Sequence, residues 1–524
     1  MSRIKNFTRN LATSYIQLGV NVVYSLVSIP LILHFLPKEE FGMWALLVQL
    51  IGYMALVDLG MTSAVARLLV DHKDDRDNGS YGSLLKASFL VSAAQGFLVL
   101  LLLFFAAPGV ASLMKIPTEQ APDFILLLQI QGVITAFMYL SRPLNLILYA
   151  HQRMDLQTYL EIFNLVASLG LLILFLNGGN GIFSFVYANI LTALIGPIYL
   201  FWSCKRLGLF PQAGEWGFVT RKQFKEVFSY GYQLFLFNLG CQLQFASQTI
   251  VISRALGLES AAIWAVGTKM FNLIFPLMIR PYGAALPGLY EMVARGEMQQ
   301  LKDRFRSIVQ LTASLGAFLG GSFVLCNGLF IGIWTSGRIL WPSLNDSLMA
   351  VWLLILSMQT THCTFVNVTK RFGAMSYVLL AEGCCFILLA LTFGNRWGIP
   401  SVVACSSLCT FLFSYQYGLR RSCLFFHSSL KTIAIDWVKP SLRLATVYTL
   451  VVVSVWLCSA ELEPFWRLVV HAIIVGTVGI GLFFRLGFPP ELLSVVETRL
   501  PNVAVQLLSA MIRTKPLRSG SNLQ

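Results

Sequence analysis

The chain has 524 residues, of which 56% are hydrophobic and 12% charged, about half the charged fraction of an ordinary soluble domain. A water-soluble domain of this length lacks the polar residues to cover such a core, so lipid is the solvent for most of the chain. The net charge of +14 does not mark a nucleic-acid binder, because no Lys/Arg run with interleaved aromatics occurs. The basic residues gather instead at the ends of apolar stretches, as the positive-inside rule requires.

In chain order, the basic segment Met1–Asn10 leads into an apolar stretch over 11–35. That stretch is too long for a signal-peptide core and no small-x-small cleavage site follows it. Further stretches occupy 41–70, 84–107, 122–150, 158–177, 181–203, 228–255, 260–289, 306–334, 346–369, 374–393, 398–419, 444–460 and 464–484. Each approaches or exceeds the roughly 20 residues that cross about 30 Å of hydrocarbon. The fold class is therefore all-α, a polytopic membrane protein of about fourteen transmembrane helices. Pro30, Pro197, Pro276, Pro281 and Pro287 fall inside spans, where membrane helices tolerate them.

Placing the N-terminus inside puts 28 of the 38 Lys/Arg in internal segments and five in external loops, with five within spans. That bias fixes the expected topology, a bacterial inner membrane protein with both termini cytoplasmic. No external loop reaches 20 residues, and the longest internal links, 204–227 and 420–443, are too short for a nucleotide-binding domain.

Leu36-Pro37-Lys38-Glu39 with Trp44-Ala45 lies 220 residues before Leu256-Gly257-Leu258-Glu259 with Trp264-Ala265, each copy joining an odd span to the next even one. Chance could give four matches in ten positions, but their topologically equivalent places make duplication the better explanation, and it implies two six-helix halves as parallel repeats. The expected organisation is a first half over 1–205, a cytoplasmic linker over 206–227, a second half over 228–420, two added helices over 421–485 and a cytoplasmic tail over 486–524. The tail reads either as an interfacial amphipathic helix or as a partly disordered segment.

Charges within spans cost a few kcal/mol each, roughly 2.5–3.5 on insertion scales, so they are weighed as functional candidates. Lys269 and Arg280, in the eighth span, are eleven residues apart, which returns to one helix face ~16 Å further along the axis. Two cations on one face suit a passing anion such as a diphosphate; the bland reading has Arg280 snorkelling to headgroups and Lys269 paired with an acid. Asp58 and Arg67 face opposite sides of the second span and cannot pair along it. Asp58 is either a coupling-ion site or a salt-bridge partner for another helix. Arg142, before Pro143, and Glu382 are similar candidates.

Asn10, Ser14, Gln17, Asn21, Tyr24 and Ser28 form one polar face of the first span. Gln244 and Gln248 stand 220 residues after Tyr24 and Ser28, with Asn238 and Gln242 nearby. Two equivalent helices with wet faces point to a solvated cleft, against the alternative of interhelical hydrogen bonds worth about 0.6 kcal/mol each.

No Gly-Lys pair occurs, so no Walker A loop is present. The six histidines and ten cysteines show no metal-site spacing, and neither a metal nor a cofactor is expected. The acidic run Asp71 to Asp77 reads as a solvated turn.

Phe41-Gly42-Met43-Trp44, Gly52-Tyr53, and Val57-Asp58-Leu59-Gly60 running to Ala66-Arg67, preceded by Pro30 to Pro37, resemble bacterial polysaccharide flippases. These are the O-antigen and exopolysaccharide translocases of the multidrug/oligosaccharidyl-lipid/polysaccharide exporter superfamily. The motif resemblance covers residues 1–85; beyond it the likeness is one of topology.

The resemblance implies a transporter, not an enzyme, that moves an undecaprenyl-diphosphate-linked oligosaccharide between leaflets by alternating access. It implies that Arg280, Lys269 and Arg142 meet the diphosphate, that Gln17, Asn21, Gln244 and Gln248 face the glycan, and that Asp58 or Glu382 couples transport to a cation. Membrane lipids, a polysaccharide polymerase and a chain-length regulator are the implied partners, with no nucleic acid. The rival reading is a cation-coupled multidrug exporter of the same superfamily, whose cationic substrates favour an acidic cavity. A lipid-linked glycosyltransferase or polymerase is more distant, since such enzymes carry large external loops.

Overall fold

The computed structural model describes residues 3–72, 79–151, 153–219, 235–368 and 374–492. Every regular element among these residues is helical. The chain divides into two compact units, Met1–Ala265 and Val266–Gln524.

The first unit holds α1 (Arg3–Phe35), α2 (Lys38–Tyr53), α3 (Met61–His72), α4 (Ser80–Leu113), α5 (Ala121–Ala150), α6 (Met154–Asn177) and α7 (Phe183–Arg206). A helical stretch over 235–245 and α8 (Ser247–Leu256) follow. The helix α9 (Leu258–Gly267) crosses the boundary between the units. The second unit continues with α10 (Lys269–Arg295), α11 (Met298–Trp334), α12 (Ser343–Val368), α13 (Met375–Trp397), α14 (Ile399–Thr410) and α15 (Gln416–Phe426). It closes with α16 (Lys439–Cys458) and α17 (Pro464–Ile474), the last prolonged through π turns to Gly487.

Twelve helices among the described residues are long and apolar enough to cross a membrane, and α9 with the start of α10 makes a thirteenth if read as one broken span. Each coincides with a stretch read from the sequence. The remaining stretch, 228–255, lies partly outside the described residues, as do the tail from 493 onward and most of the acidic turn after Asp71. A multi-pass membrane protein is the outcome. Large apolar side chains such as Phe105 and Ile198 stand exposed, which only a lipid solvent makes favourable.

Within the first unit α4 and α5 form a hairpin, α1 lies along α6, and α5 packs on α7. The shared core gathers Leu69, Tyr81, Leu85, Ile147 and Cys204. In the second unit Phe305 of α11 stacks on Phe365 of α12 at 4.1 Å between ring centroids. The last two spans are tied to α11 by small polar contacts: Ser314 meets Ser441 of α16 at 2.8 Å and donates to the Gly487 carbonyl at the end of the last span at 2.9 Å, and Ser322 meets Tyr448 of α16 at 3.0 Å. Such hydrogen bonds between small residues are the usual glue of membrane helices, which gain nothing from hydrophobicity alone.

The two copies of the repeated segment meet each other inside the first unit. Lys38 pairs with Glu259 at 3.0 Å. A Cβ at Gly42 would sit 1.9 Å from the Leu258 carbonyl oxygen, so only glycine permits this approach of α2 to the start of α9.

The second span departs from the expected continuous helix over 41–70. After α2 the backbone tightens into a 3-10 turn over Met54–Asp58, and Leu59 and Gly60 then take φ values of 50° and 75° before α3 begins. The Val57-Asp58-Leu59-Gly60 motif is thus a break inside the membrane-spanning segment, and such irregular backbone requires compensating polar partners.

Candidate functional site

Those partners assemble around Asp58. Its carboxylate accepts the Thr62 backbone N–H at 3.2 Å and the Thr62 hydroxyl, capping the start of α3. Its backbone carbonyl accepts the Gln95 side-chain amide of α4 at 3.1 Å. From α5, Arg142 pairs with the same carboxylate at 3.3 Å. The guanidinium lies 3.5 Å over the Tyr139 ring, and the Tyr139 hydroxyl donates to the Met54 carbonyl at 2.5 Å. Arg142 is followed by Pro143, which removes one backbone donor from this turn of α5. The side chains of Arg142 and Asp58 remain 29% and 16% exposed, so the pair is compensated without being sealed.

Asp58 therefore pairs with another helix, one of its two expected readings, and the pair joins two residues the sequence placed in separate roles. Tyr139 and Gln95 were not singled out. Both look like ordinary span residues until the break after Met54 is known. The Arg67 side chain lies outside the described residues.

The polar face of α1 is met by α6. The Gln17 amide donates to the Glu161 carboxylate, and Tyr24 hydrogen-bonds Ser168. Asn21 is exposed and accepts the Ser25 hydroxyl at 3.3 Å, while the Asn10 and Ser14 side chains lie outside the described residues. Glu161, an acid within the stretch 158–177, is the residue the sequence reading passed over; its signal was the carboxylate itself.

The matching face near the seventh span is buried. Gln244 and Gln248 are 2% and 6% exposed. Alongside them, the Tyr53 hydroxyl at the end of α2 donates to the Gln242 carbonyl at 3.1 Å and meets Ser247. The equivalent polar stripes are thus in different environments, one partly open and one covered.

The second unit carries the other candidates. Lys269 begins α10 immediately after the break at Thr268, and Arg280 follows on the same helix. Lys269 is half-buried and Arg280 exposed. None of the ion pairs among the described residues includes Lys269.

Glu382 of α13 is 2% exposed. It accepts the Ser414 backbone N–H at 3.1 Å and hydrogen bonds from the Thr410 and Ser414 hydroxyls. Ser414 lies in the π turn Phe411–Tyr415, whose wider i→i+5 spacing frees amide groups for such a partner. No ion pair among the described residues includes Glu382. Of the residues singled out from the sequence, Asp58 and Arg142 balance each other in the first unit, while Lys269 and Glu382 in the second are in no ion pair among the described residues.

The family described as "Polysaccharide biosynthesis protein" matches residues 8–293, more than half of the chain. A Shigella flexneri protein named "Putative O-antigen transporter" is 20% identical over 274 residues, 52% of this chain and 62% of that protein. The Bacillus subtilis (strain 168) "Uncharacterized membrane protein EpsK" is 24% identical over 346 residues, 63% of this chain and 65% of that protein. The chain thus spans a little under two thirds of the length of these relatives. Among solved structures, the lipid II flippase MurJ in an inward closed conformation superposes with a TM-score of 0.66 at 13% identity, covering 91% of this chain and 98% of that one. An inward-facing multidrug resistance MATE family transporter gives 0.64 at 14% identity, covering 79% and 96%. At such identities these superpositions show a shared fold.

Proposed function

The chain belongs to the polysaccharide biosynthesis protein family, and from that premise we propose that it is a flippase for an undecaprenyl-diphosphate-linked oligosaccharide. The substrate passes from the cytoplasmic to the outer leaflet of the bacterial inner membrane by alternating access, for O-antigen or exopolysaccharide assembly.

The observation that carries this reading is Lys269, a half-buried cation inside an apolar span with no ion-pair partner among the described residues. An uncompensated intramembrane charge is costly, and a transported anion is the partner that repays it. Arg280, ~16 Å further along the same face, gives a diphosphate a second foothold as it advances. Arg142 is a third, already held by Asp58 and Tyr139.

Gln17 and Asn21 stand where a glycan finds amides, and Gln244 and Gln248 join them once α2 withdraws. Glu382 serves as the coupling group, since a buried carboxylate without a cation takes up a proton or metal cation readily. Asp58 exchanges between Arg142 and a coupling cation. The reaction needs no covalent step, and a polymerase and chain-length regulator receive the product.

The test is the sidedness of lipid-linked glycan in cells depleted of the protein, read in spheroplasts with an impermeant lectin. Glycan accumulating on the lipid diphosphate, protected inside, supports the flippase. Unchanged surface glycan together with new sensitivity to lipophilic cations replaces it with a multidrug exporter.

A further inference from the structure

A second polar cluster, which no function above absorbs, lies in the second unit two residues before Lys269. Asp346, in the first turn of α12, is 1% exposed and appears in none of the ion pairs among the described residues. Its Oδ1 accepts the Asn327 amide of α11 at 2.7 Å and the Trp341 indole N–H at 2.6 Å. The Gly328 backbone N–H also donates to the carboxylate.

Asn327 is 2% exposed. The same Asn327 nitrogen donates its other hydrogen to the Gly267 carbonyl at 3.2 Å. Over Gly267 lies the Trp341 ring, so closely that a Cβ there would fall 2.0 Å from two ring carbons. Asp346 thus holds both groups that hold Gly267, one through its backbone carbonyl and one through its missing side chain.

Position 267 is the last residue of α9, and α10 starts at Lys269 after the break. A side chain inserted into the helix ladder is among the recognised causes of such breaks. Here the Asn327 amide takes the carbonyl at the end of α9, and its nitrogen is shared between Asp346 and Gly267. A buried carboxylate served by three donors and no cation is an expensive way to brace a loop. An apolar residue there would strand the Asn327, Trp341 and Gly328 donors, so the carboxylate is what holds Asn327 and Trp341 in place.

We propose that Asp346 is a positioning residue: through Asn327 and Trp341 it pins Gly267 against α11 and α12, and so sets where Lys269 and the rest of α10 stand for the substrate phosphate. The proposal rests on the flippase reading for the role of Lys269. Arg280, thirteen residues beyond Gly267, stands ~20 Å along the helix, so a change of direction at the pin of about 10° carries it roughly 3 Å. Misplacement by about 1 Å is enough to cost on the order of 100-fold where geometry governs turnover.

Two measurements on the full-length protein test it. First, spin labels on unnatural amino acids at Leu277 and Val351, both exposed, report the α10-to-α12 distance with the native cysteines left in place. Asp346→Asn, which keeps an oxygen acceptor but loses the charge, and Asn327→Ala are expected to shift or broaden that distance. Trp341→Phe, which keeps the ring over Gly267, is expected to shift it less. An unchanged distance in both Asp346→Asn and Asn327→Ala overturns the proposal, whatever the substrate.

Second, the apparent KM for flipping undecaprenyl-diphosphate-linked glycan in proteoliposomes is compared for Asp346→Asn, Lys269→Ala and the double variant. Positioning predicts that each single change raises KM about tenfold and that the double raises it by less than the product, since Asp346→Asn then acts through Arg280 alone. Losses that multiply overturn it. A normal KM for Lys269→Ala defeats the flippase reading instead, and the label distance then judges the pin by itself.

Discussion

Two regions of the molecule, one in each unit, treat intramembrane charge in opposite ways. In the first, Asp58 and Arg142 neutralise each other at 3.3 Å, and the guanidinium is further supported by the Tyr139 ring. In the second, Lys269 and Glu382 have no ion-pair partner among the described residues. A compensated pair is most costly when half of it is removed, because the remaining charge is left stranded. An uncompensated charge is the reverse: neutralising it relieves the fold and removes only what it does for a ligand. Stability therefore leans on the Asp58–Arg142 pair more than on Lys269 or Glu382, and substitutions at each sharpen or break that contrast.

The largest effect is expected from Lys269→Ala combined with Arg280→Ala. Flipping in proteoliposomes should fall on the order of 100-fold, as for the loss of two charged anchors of about 1.5 kcal/mol each, while Tm in detergent stays within a degree or two. A protein that instead fails to insert would show that these cations serve the fold.

Arg142→Ala should do the opposite, destabilising by about 1–3 kcal/mol with Asp58 left partly buried. Asp58→Asn in the same chain should recover most of that loss, since the pair couples directly. Thermal unfolding of the single and double variants measures it, and additive losses would mean the two residues do not act as a pair.

Glu382→Gln should leave Tm unchanged or raised, because the amide needs no neutralising cation, and should abolish any response of transport to an imposed proton or sodium gradient. A gradient response that survives assigns coupling to another group. The smallest effect is expected from Lys38→Ala. Its bridge to Glu259 joins side chains 37% and 51% exposed, and exposed pairs contribute about 0–1 kcal/mol. A larger loss would show that the meeting of the repeated segments depends on charge, not on the close approach at Gly42.

Most of the bundle was legible in the sequence because hydrocarbon imposes a single rule, that some 20 apolar residues make a helix. That rule found the thirteen stretches that the described helices occupy, including α16 and α17. It could not find the break after Met54. Hydropathy runs unchanged through Met54–Asp58, and only the Leu59 and Gly60 dihedrals turn the chain.

The site was legible as a set of charges and illegible as a set of partners. Asp58 and Arg142 are 84 residues apart, and helical periodicity relates residues only along one helix. Glu161 could have been weighed, being a carboxylate inside a span. Asp346 was harder to see: it sits at the edge of its apolar stretch, where an acid reads as a helix start, and only tertiary packing reveals it as 1% exposed. The polar stripes of the first and seventh spans were recognisable, yet the sequence did not distinguish the face that meets α6 from the one covered by α2.

The central claim is that the chain moves a lipid-linked diphosphate glycan through a path lined by Lys269 and Arg280. The direct measurement is transbilayer movement of fluorescent undecaprenyl-diphosphate-linked glycan by the purified protein in proteoliposomes, with efflux of a lipophilic cation dye followed in parallel. The account predicts rapid loss of the glycan from its starting leaflet, abolished by Lys269→Ala with Arg280→Ala, and no dye efflux. Dye efflux with a stationary glycan would contradict it.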